Sequence, residues 1–304
     1  TAGLTRNDVA QMAYNAMTIA TPVQYNKLIE DYSTVGTSGL SGNVVRGDTP
    51  GNFQYTLAGT VFSMKKAEGY VTGATYNEST KKYTYTVKSA ITGGTNVVVV
   101  STTQDLNASI GLKVEALYKP NTDGTNTAYG LNSKGIEVVS TVGELEIGTR
   151  GDDKVKVDGV EYKLSANDIS VPVYTFASGS VGSVGTLDGI TANQASKLTL
   201  VDSDKNGKYD YAVVAPVTVS QVTYAGKTSI SAGSTYKYED SHIYDGAAKD
   251  DFVMITAAAN TVDGKAVVTK LTAIQGKVNA LKNTTDVQID GTWYKRSANI
   301  VGDT

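Results

Sequence analysis

The chain contains no cysteine, a single histidine and only five prolines in 304 residues. The absence of cysteine excludes disulfides, zinc–thiolate sites and cysteine nucleophiles. The histidine, His242, lies in the polar stretch YEDSHIYDGAAKDD without a nearby nucleophile motif, so it gives no basis for a Ser-His-Asp triad and is expected to be a solvated loop residue. GxSxG, HExxH and P-loop motifs are also missing. These absences predict a protein that is not an enzyme.

Arginine is scarce as well, and the net charge is only −3. The arginines are Arg6, Arg46, Arg150 and Arg296, which are too scattered to form a phosphate-reading patch. No apolar run approaches the ~20 residues that a membrane-spanning helix needs. We therefore predict neither a nucleic-acid partner nor membrane insertion. The first residues also lack the basic-then-apolar pattern of a signal peptide.

Beyond residue 35 the sequence is rich in Val, Thr and Tyr, and apolar and polar residues often alternate. Examples are KKYTYTVKSA, NVVVVSTT and DYAVVAPVTVS, and such segments are separated by DG, NG, GG and SG turns. Alternation with these turns is typical of half-buried antiparallel strands joined by hairpins. The predicted fold is mainly β, with tandem Ig-like or similar β-sandwich modules after a short α-helical N-terminal segment.

The N-terminal stretch LTRNDVAQMAYNAM has the pattern of an amphipathic helix. Thr5 is a suitable N-cap, and Asp8 at the N3 position completes a capping box. The apolar stripe consists of Val9, Met12, Ala13, Ala16 and Met17. A second short helix, PVQYNKLIEDY, is predicted to begin at Pro22 because proline is favoured at the first helical position.

An internal repeat organises the rest of the chain. The segment VKVDGVEYKLSAN (155–167) returns as VQIDGTWYKRSAN (287–299), with eight identical residues in thirteen positions. Each copy predicts a hairpin in which Asp158 or Asp290 bonds its own turn and the following glycine adopts a positive φ. Two weaker parallels lie upstream: IGLKVEALYKPNTDG with AKDDFVMITAAANTVDG, and TVGELEIG with AIQGKVNAL at a one-residue offset. The repeat therefore predicts two copies of a β module.

From these patterns we divide the chain into four segments. Residues 1–34 are a helical start and linker, 35–168 a first β module, 169–216 a hairpin region with an Asp-rich loop, and 217–304 a second β module. The second module is expected to be cut short, since few residues follow its hairpin.

The Asp-rich loop, VDSDKNGKYDYAVV, has the spacing of a calcium loop. Counted from Asp202, oxygens recur at positions 1, 3, 5 and 9 and glycine stands at position 6; the oxygen donors are Asp202, Asp204, Asn206, the backbone carbonyl of Lys208 and Asp210. The bidentate glutamate of an EF-hand is missing, because position 12 is Val213. Two interpretations stay open: a calcium site between two strands, or an acidic, solvated hairpin loop.

The N-terminal helix resembles the closing helix of an S-layer homology motif, in which Leu-Thr-Arg-x-(Glu/Asp) opens a helix ending in Asn-Ala-Leu. The matching residues are Leu4, Thr5, Arg6, Asp8, Tyr14, Asn15 and Ala16. The hairpins and the Asp-rich loop resemble the regions that follow this anchor in surface proteins of Gram-positive bacteria. The resemblance implies an extracellular, cell-wall location and binding of a secondary cell-wall polymer, to which Arg6 contributes.

Three functions follow from this reading. The first is a structural component of a bacterial surface layer that self-associates into an array, with calcium as its cofactor. The second is a surface adhesin or carbohydrate-binding module that uses tyrosines and Trp293 as stacking platforms, although a packed or interface aromatic is the preferred explanation of Trp293. The third is a wall-degrading enzyme with paired carboxylates, which we do not favour because no acidic pair has a recognisable spacing.

Overall fold

The computed structural model describes residues 4–34, 46–141, 145–147, 153–157, 160–166, 170–189, 196–272, 274–282 and 286–295. Within these residues the chain forms two α-helices and twenty-five strands. The helices are α1 (Arg6–Thr18) and α2 (Leu57–Thr60). In chain order, the strands are β1 (Val23–Asn26), β2 (Asp31–Thr34), β3 (Lys65–Asn77), β4 (Lys82–Lys88), β5 (Val97–Thr102), β6 (Lys113–Pro120), β7 (Asn126–Ser133), β8 (Ile136–Thr141), β9 (Leu145–Ile147), β10 (Lys154–Val157), β11 (Val160–Lys163), β12 (Pro172–Ala177), β13 (Ser180–Thr186), β14 (Ser196–Asp202), β15 (Tyr211–Pro216), β16 (Thr218–Gln221), β17 (Tyr224–Ala225), β18 (Ser229–Ala232), β19 (Ser234–Lys237), β20 (Ser241–Ile243), β21 (Phe252–Thr256), β22 (Ala266–Lys270), β23 (Val278–Lys282), β24 (Asp286–Ile289) and β25 (Thr292–Lys295).

The predicted N-terminal helix is confirmed, including its capping box. The Thr5 hydroxyl accepts a hydrogen bond from the Asp8 amide at 3.2 Å, and the Asp8 carboxylate accepts one from the Thr5 amide at 2.8 Å. The apolar stripe of α1 is only partly buried, since Val9 is 54% exposed and Met12 is 58% exposed. None of the described helices is long and apolar enough to cross a membrane.

The second predicted helix is wrong, since the residues after Pro22 form the hairpin β1–β2. Tyr25 lies opposite Tyr32 in its antiparallel ladder. Leu28 is 94% exposed and Ile29 60% exposed, so these large apolar residues face solvent. Without a surface to pack against, a short amphipathic helix gains little, and the β-forming Val and Tyr pair across the hairpin instead.

The strands that follow build three units. Unit 1 comprises β3–β7, unit 2 comprises β8–β15, and unit 3 comprises β16–β22. The strands of unit 1 join most of those of unit 2 in one ten-stranded sheet with the order β4-β5-β7-β6-β3-β13-β12-β15-β14-β8. The seam between the units is narrow: Ser180 on β13 pairs with Gly73 on β3.

Each unit has an apolar core, and in two units the core lies between two sheets. In unit 2 the sheet β9–β11 covers the inner face of β12–β15, with Val155, Leu198 and Leu200 almost fully buried. In unit 3 the sheet β17–β19 covers the sheet β16-β21-β22-β20 through Ile230 and Val253. The predicted mainly β class, rich in β-sandwiches and with a short N-terminal helix, is therefore confirmed.

Unit 3 repeats the topology of unit 1. The order β5-β7-β6-β3 in unit 1 matches β20-β22-β21-β16 in unit 3, with one parallel pair and two antiparallel pairs at the same places. The Val71 amide donates to the Leu112 carbonyl, and the Val71 carbonyl accepts from the Gly111 amide. The amide and carbonyl of Val222 make the equivalent bonds to the Asp251 carbonyl and the Asp250 amide. Gly111 and Asp250 both have a positive φ. The weak sequence parallel between these regions thus corresponds to a shared fold.

The meander β23–β25 repeats β9–β11 with the same register. Val155 lies opposite Tyr162 in the first copy, and Val287 lies opposite Tyr294 in the second. The one-residue offset of the upstream parallel corresponds to an irregularity between Val278 and Ala280.

The turn of the second hairpin differs from the prediction. The Asp290 carboxylate accepts from the Lys277 amide at 3.0 Å rather than from its own turn, and Asp290 itself adopts a positive φ. The predicted positive φ of Gly291 is confirmed. Asp158 and Gly159 lie outside the described residues.

One predicted segment boundary lies within unit 2, and another lies where the chain passes from one sheet to the next. β8 precedes the expected boundary at residue 168, yet it pairs with β14 beyond that boundary. At the boundary near 217 the sheet changes, since β15 belongs to the ten-stranded sheet and β16 to the sheet of unit 3. That the four segments are separate domains remains a prediction.

Candidate metal centre

The Asp-rich loop connects β14 to β15 at the edge of unit 2. The apolar alternation of LTLV and YAVV buries Leu198, Leu200 and Ala212 and holds the two strands in an antiparallel ladder. Asp202 is the last residue of β14 and is only 1% exposed. Gly207 has φ +85°, a conformation that glycine adopts without strain, and it reverses the chain within the loop.

Hydrogen bonds within the loop orient its acidic side chains. Asp202 accepts from the amides of Asn206 and Gly207 at 3.2 and 2.9 Å. Asp204 accepts from the Asn206 amide at 3.1 Å, and Asp210 accepts from the Ser203 amide at 2.8 Å and hydroxyl at 2.6 Å. Each carboxylate oxygen has more than one lone pair, so these bonds leave capacity for a cation.

The structure brings together three of the predicted metal ligands. One oxygen each of Asp202, Asp204 and Asp210 lies within 4.8 Å of the other two. Ligands on opposite sides of a calcium ion are about 4.6–5.2 Å apart, since each lies at 2.3–2.6 Å from the ion. Among the described residues, no lysine or arginine nitrogen makes an ion pair with these carboxylates. The donor set therefore fits a hard divalent cation.

Two further ligands were predicted, the side chain of Asn206 and the backbone carbonyl of Lys208. The side-chain oxygen of Asn206 accepts from the Lys208 amide at 2.8 Å, so Asn206 serves the turn as well as any ion. The side chain of Lys208 is exposed, which leaves its backbone carbonyl as the predicted donor. Arg6 is exposed in the first turn of α1, a different element, and does not belong to this cluster.

The far end of the loop is attached to the covering sheet of unit 2. The Tyr209 amide donates to the Lys163 carbonyl at 2.8 Å, and the Ser165 amide donates to the Tyr209 carbonyl at 2.9 Å. The rings of Tyr209 and Tyr162 meet edge-on with centroids 5.4 Å apart. The loop thus joins β14–β15 to β11, and an ion bound there would hold both sheets of the sandwich.

The start of β15 also joins unit 2 to unit 1. The buried Tyr211 hydroxyl donates to the Gly111 carbonyl at 3.0 Å, and its ring packs edge-on against Tyr70 and Tyr174. Burial raises the pKa of Tyr211, so the phenol stays protonated over the physiological range. The sequence analysis predicted neither the hydrogen bond of Tyr211 to Gly111 nor the contacts of Tyr209 with β11. The residues Tyr209, Asp210 and Tyr211 indicate only the start of a strand.

A second candidate site is a cavity of about 730 Å³ between the three units. Its wall includes an aromatic pair, Tyr76 and Tyr83, whose ring centroids are 4.7 Å apart. Three carboxylates also line it, together with hydroxyl and basic groups; the polar lining residues are Tyr76, Glu78, Tyr83, Asp105, Asn107, Lys197, Thr199, His242, Thr256, Asn260, Thr261, Asp263 and Lys265. No sequence motif points to this site, since its residues come from distant strands.

Each carboxylate of the cavity already has a partner nearby. Glu78 pairs with Lys81 at 2.7 Å, Asp105 accepts from the Asn107 amide at 2.8 Å, and Asp263 contacts His242 at 2.5 Å. The hydrogen bond from Lys81 lowers the pKa of Glu78. Burial opposes ionisation of Asp263, but the hydrogen bonds from His242 and the Lys265 amide lower its pKa overall. Glu78 and Asp263 therefore suit hydrogen bonding and charge pairing rather than proton donation.

His242 lies in strand β20 and not in a loop, because β20 pairs in parallel with β22 and places His242 opposite Val267. It is more than half exposed, as the sequence suggested. Trp293 is 46% exposed on β25, away from this cavity's lining.

Comparison of the chain with protein-family models, with curated proteins and with solved structures returns no match.

Proposed function

We propose that the chain is a non-enzymatic structural protein of a bacterial surface layer, which self-associates through its β units into an array. The observation that carries this proposal is that one sheet topology occurs twice, in unit 1 and in unit 3. Unit 2 lies between these two units in the chain. Repeated β units that support one another by packing form a stiff scaffold without disulfides.

Contacts between the units support the same conclusion. The Ser178 amide on unit 2 donates to the Ala259 carbonyl of unit 3 at 2.6 Å, and the Tyr76 amide of unit 1 donates to the Val262 carbonyl at 3.2 Å. Val262 also packs against the core of unit 1. Hydrogen bonds and apolar contacts at each junction resist bending of one unit against the next, as a load-carrying layer requires.

Calcium is the proposed cofactor of this scaffold, bound by Asp202, Asp204 and Asp210 with Asn206 and the Lys208 carbonyl. The two positive charges of the ion would offset most of the negative charge of three neighbouring carboxylates. Since Tyr209 links the loop to β11, binding would stiffen the sandwich of unit 2.

The proposed location is the cell wall, where α1 would contribute Arg6 to the binding of a secondary cell-wall polymer. The exposure of Arg6 leaves its guanidinium accessible to an acidic polymer. Co-sedimentation of the chain with purified walls tests this, with Arg6→Ala as the variant and Arg46→Ala, whose guanidinium pairs with Asp48, as the control. Equal binding by both variants would remove Arg6 from the proposal.

Electron microscopy of the purified chain tests the main proposal. With calcium we expect ordered two-dimensional sheets, and with a chelator we expect smaller or disordered assemblies. Dispersed single particles under every salt and calcium condition would contradict surface-layer function.

The second candidate function is carbohydrate binding at the cavity between the units. The Tyr76–Tyr83 pair and the surrounding carboxylate, amide and hydroxyl groups are the side chains that sugar-binding sites use. Glycan-array binding that is lost in Tyr83→Ala and kept in Trp293→Ala would favour this function at the cavity. The reverse result would place sugar stacking at Trp293.

A further inference from the structure

One corner of the cavity between the units combines packed tyrosine rings with two carboxylates. The ring centroids of Tyr76 and Tyr83 are 4.7 Å apart, and Tyr83 also stacks on Tyr85 at 6.2 Å with planes at 14°. Tyr85 is fully buried in the core of unit 1, so the outer rings rest on a fixed support. Asp105 and Asp263 line the same cavity. Tyr76, Tyr83, Asp105 and Asp263 together form what we term the acidic corner.

The loop that carries Asp105 is fixed to the buried end of this stack. The Tyr85 hydroxyl accepts from the Leu106 amide at 2.8 Å and donates to the Asn107 side-chain oxygen at 3.0 Å. The Asp105 carboxylate itself accepts from the Asn107 amide at 2.8 Å. Since Tyr83 stacks on Tyr85, these bonds hold Asp105 close to Tyr83.

Asp263 reaches the acidic corner from unit 3. The Tyr76 amide donates to the carbonyl of Val262, the residue before Asp263, at 3.2 Å. Partial burial raises the pKa of Tyr83, and the charges of Asp105 and Asp263 raise it further, so both carboxylates lie near the Tyr83 hydroxyl. Two units that are distant in sequence therefore build the corner together.

The negative charge of the acidic corner is only partly balanced. Asp263 contacts His242 at 2.5 Å, and this contact balances one carboxylate when the imidazole is protonated. Among the described residues, no lysine or arginine nitrogen makes an ion pair with Asp105 or Asp263. The corner thus keeps a net negative charge in either protonation state of His242.

The two lysines of the cavity wall act on other groups. The hydrogen bond from Lys81 lowers the pKa of Glu78, and the charge of Lys265 lowers it further. Lys197 is exposed on β14 in unit 2. Neither Lys197 nor Lys265 contributes to the raised pKa of Tyr83. A cationic group of a ligand is therefore favoured at the acidic corner, where carboxylates and aromatic rings both attract it.

We propose that the cavity binds an amino sugar, a saccharide whose protonated amine lies between Asp105 and Asp263 while its ring packs against Tyr76 and Tyr83. The amine would donate charge-assisted hydrogen bonds to the two carboxylates. The cavity volume of about 730 Å³ lies within the range of small-ligand sites. This inference rests on carbohydrate binding at the cavity, the second candidate function, and specifies its ligand class.

The amine distinguishes this ligand from other sugars. An N-acetylated sugar with the same ring has no charge, so it would keep the packing against the tyrosines and lose the charge pairing. A uronic acid would bring a further carboxylate to the acidic corner and would be repelled. Preference for a free amine over an N-acetyl group is the property that follows from the acidic corner.

Isothermal titration calorimetry of the full chain compares a glucosamine trimer with the fully N-acetylated trimer. At a pH below the pKa of the sugar amine, we expect the glucosamine trimer to bind at least about tenfold more tightly, as a hydrogen bond to a charged group predicts. This preference should shrink as salt is added, because ions screen charge pairing at a partly open site. The salt series tests the proposal on the wild type alone.

Asp105→Asn tests the position of the amine. Asparagine keeps an oxygen for the Asn107 amide and removes the charge, so the two trimers should bind within about threefold of each other. Asp123→Asn removes the same charge from an exposed turn of unit 1 outside the cavity lining, and it should keep the wild-type preference. Unchanged circular dichroism shows that both variants are folded; if Asp105→Asn is not, the salt series decides.

The outcomes separate this inference from the function on which it rests. Equal affinity of the wild type for the two trimers would overturn the amino-sugar proposal and leave carbohydrate binding at the cavity in place. A preference for the amine that persists in folded Asp105→Asn, or that does not respond to salt, would overturn it as well. Binding of neither trimer, with no signal on a glycan array, would contradict carbohydrate binding itself.

Discussion

The ring of Tyr162 packs edge-on against the ring of Tyr209, with centroids 5.4 Å apart and planes at 88°. Tyr162 belongs to the covering sheet of unit 2, and Tyr209 ends the Asp-rich loop. Together with the two backbone hydrogen bonds of Tyr209, this contact holds the loop against β11. The repeat supplies a comparison, since Tyr294 occupies the equivalent place in the second copy and pairs with no other ring among the described residues.

Tyr162→Ala is therefore expected to destabilise the chain more than Tyr294→Ala. The first variant loses an aromatic pair and part of a closed core, about 1–3 kcal/mol, whereas Tyr294 is also half-buried but pairs with no other ring among the described residues. Urea unfolding at dilute, monomeric protein concentration measures both. Equal losses would show that Tyr209 adds nothing to the packing of Tyr162.

Calcium is expected to raise the thermal midpoint of the wild-type chain. A ligand that binds only the folded protein adds about 2.7 kcal/mol when its free concentration is 100 times its Kd. Asp204→Asn removes an exposed ligand from the cluster and should reduce the calcium-dependent shift. Differential scanning calorimetry with calcium and with chelator checks the prediction.

Asp123→Asn is the matched control for that experiment. Asp123 stabilises another Asp-Gly turn by accepting from the Thr125 amide at 2.9 Å, so its replacement has the same local chemistry. It should lower the midpoint equally in both buffers. A calcium shift of the same size in wild type and Asp204→Asn would exclude the loop as the binding site.

The sequence predicted best those features that local patterns determine. The α1 capping box depends on residues three apart, and the strands and hairpins depend on alternation and Asp-Gly turns. The second helix failed because its signal, proline at the first position, does not reveal that Leu28 and Ile29 have no surface to pack against. The acid spacing from Asp202 identified the three carboxylates that the structure brings together, since they lie on one loop, and their role as metal ligands stays a prediction.

Features built from distant segments were not predictable in this way. The pairing of Ser180 with Gly73 and the Tyr211–Gly111 hydrogen bond join residues about a hundred positions apart. The cavity between the units has the same origin. Val155 is 1% exposed whereas its counterpart Val287 is only half-buried, a difference that depends on what lies opposite each sheet and of which the nearly identical hairpin sequences give no sign.

Acid is expected to loosen α1 from unit 1 through Glu115. This buried carboxylate accepts from the Tyr14 hydroxyl and pairs with Lys66 at 3.1 Å. Burial opposes its ionisation, but the hydrogen bonds from Tyr14 and Lys66 lower its pKa below the ordinary 4.5. Because the folded-state pKa is depressed, the stabilisation is present above pH 4.5 and is lost as the pH falls through the lower folded-state value.

Glu115→Gln should accordingly cost about 1–3 kcal/mol at neutral pH and flatten the dependence of stability on pH below 4.5. Glu68→Gln is the control, since Glu68 lies opposite Glu115 in the ladder but is half exposed in its pair with Lys113. An exposed pair contributes about 0–1 kcal/mol. Denaturant midpoints measured from pH 3 to 8 distinguish the two, and parallel curves for both variants would refute the role of Glu115.

Gly111→Ala is expected to disturb the junction of units 1 and 2. Gly111 has φ +82°, and a Cβ added there would lie 2.9 Å from Cγ2 of Val213 on β15. Gly124 has nearly the same backbone, φ +83°, but open space around the added Cβ. Gly124→Ala therefore measures the conformational strain alone, about 1 kcal/mol, and the contact with Val213 adds about 1–3 kcal/mol in Gly111→Ala.

The double variant Gly111→Ala/Val213→Ala isolates the contact further. Shortening Val213 removes the clashing methyl groups, so the double variant should lose less stability than the sum of its two single variants. Because the Gly111 carbonyl also accepts from Tyr211, near-ultraviolet circular dichroism should report a changed tyrosine environment in Gly111→Ala alone. Equal destabilisation by Gly111→Ala and Gly124→Ala would mean that units 1 and 2 do not pack closely at this point.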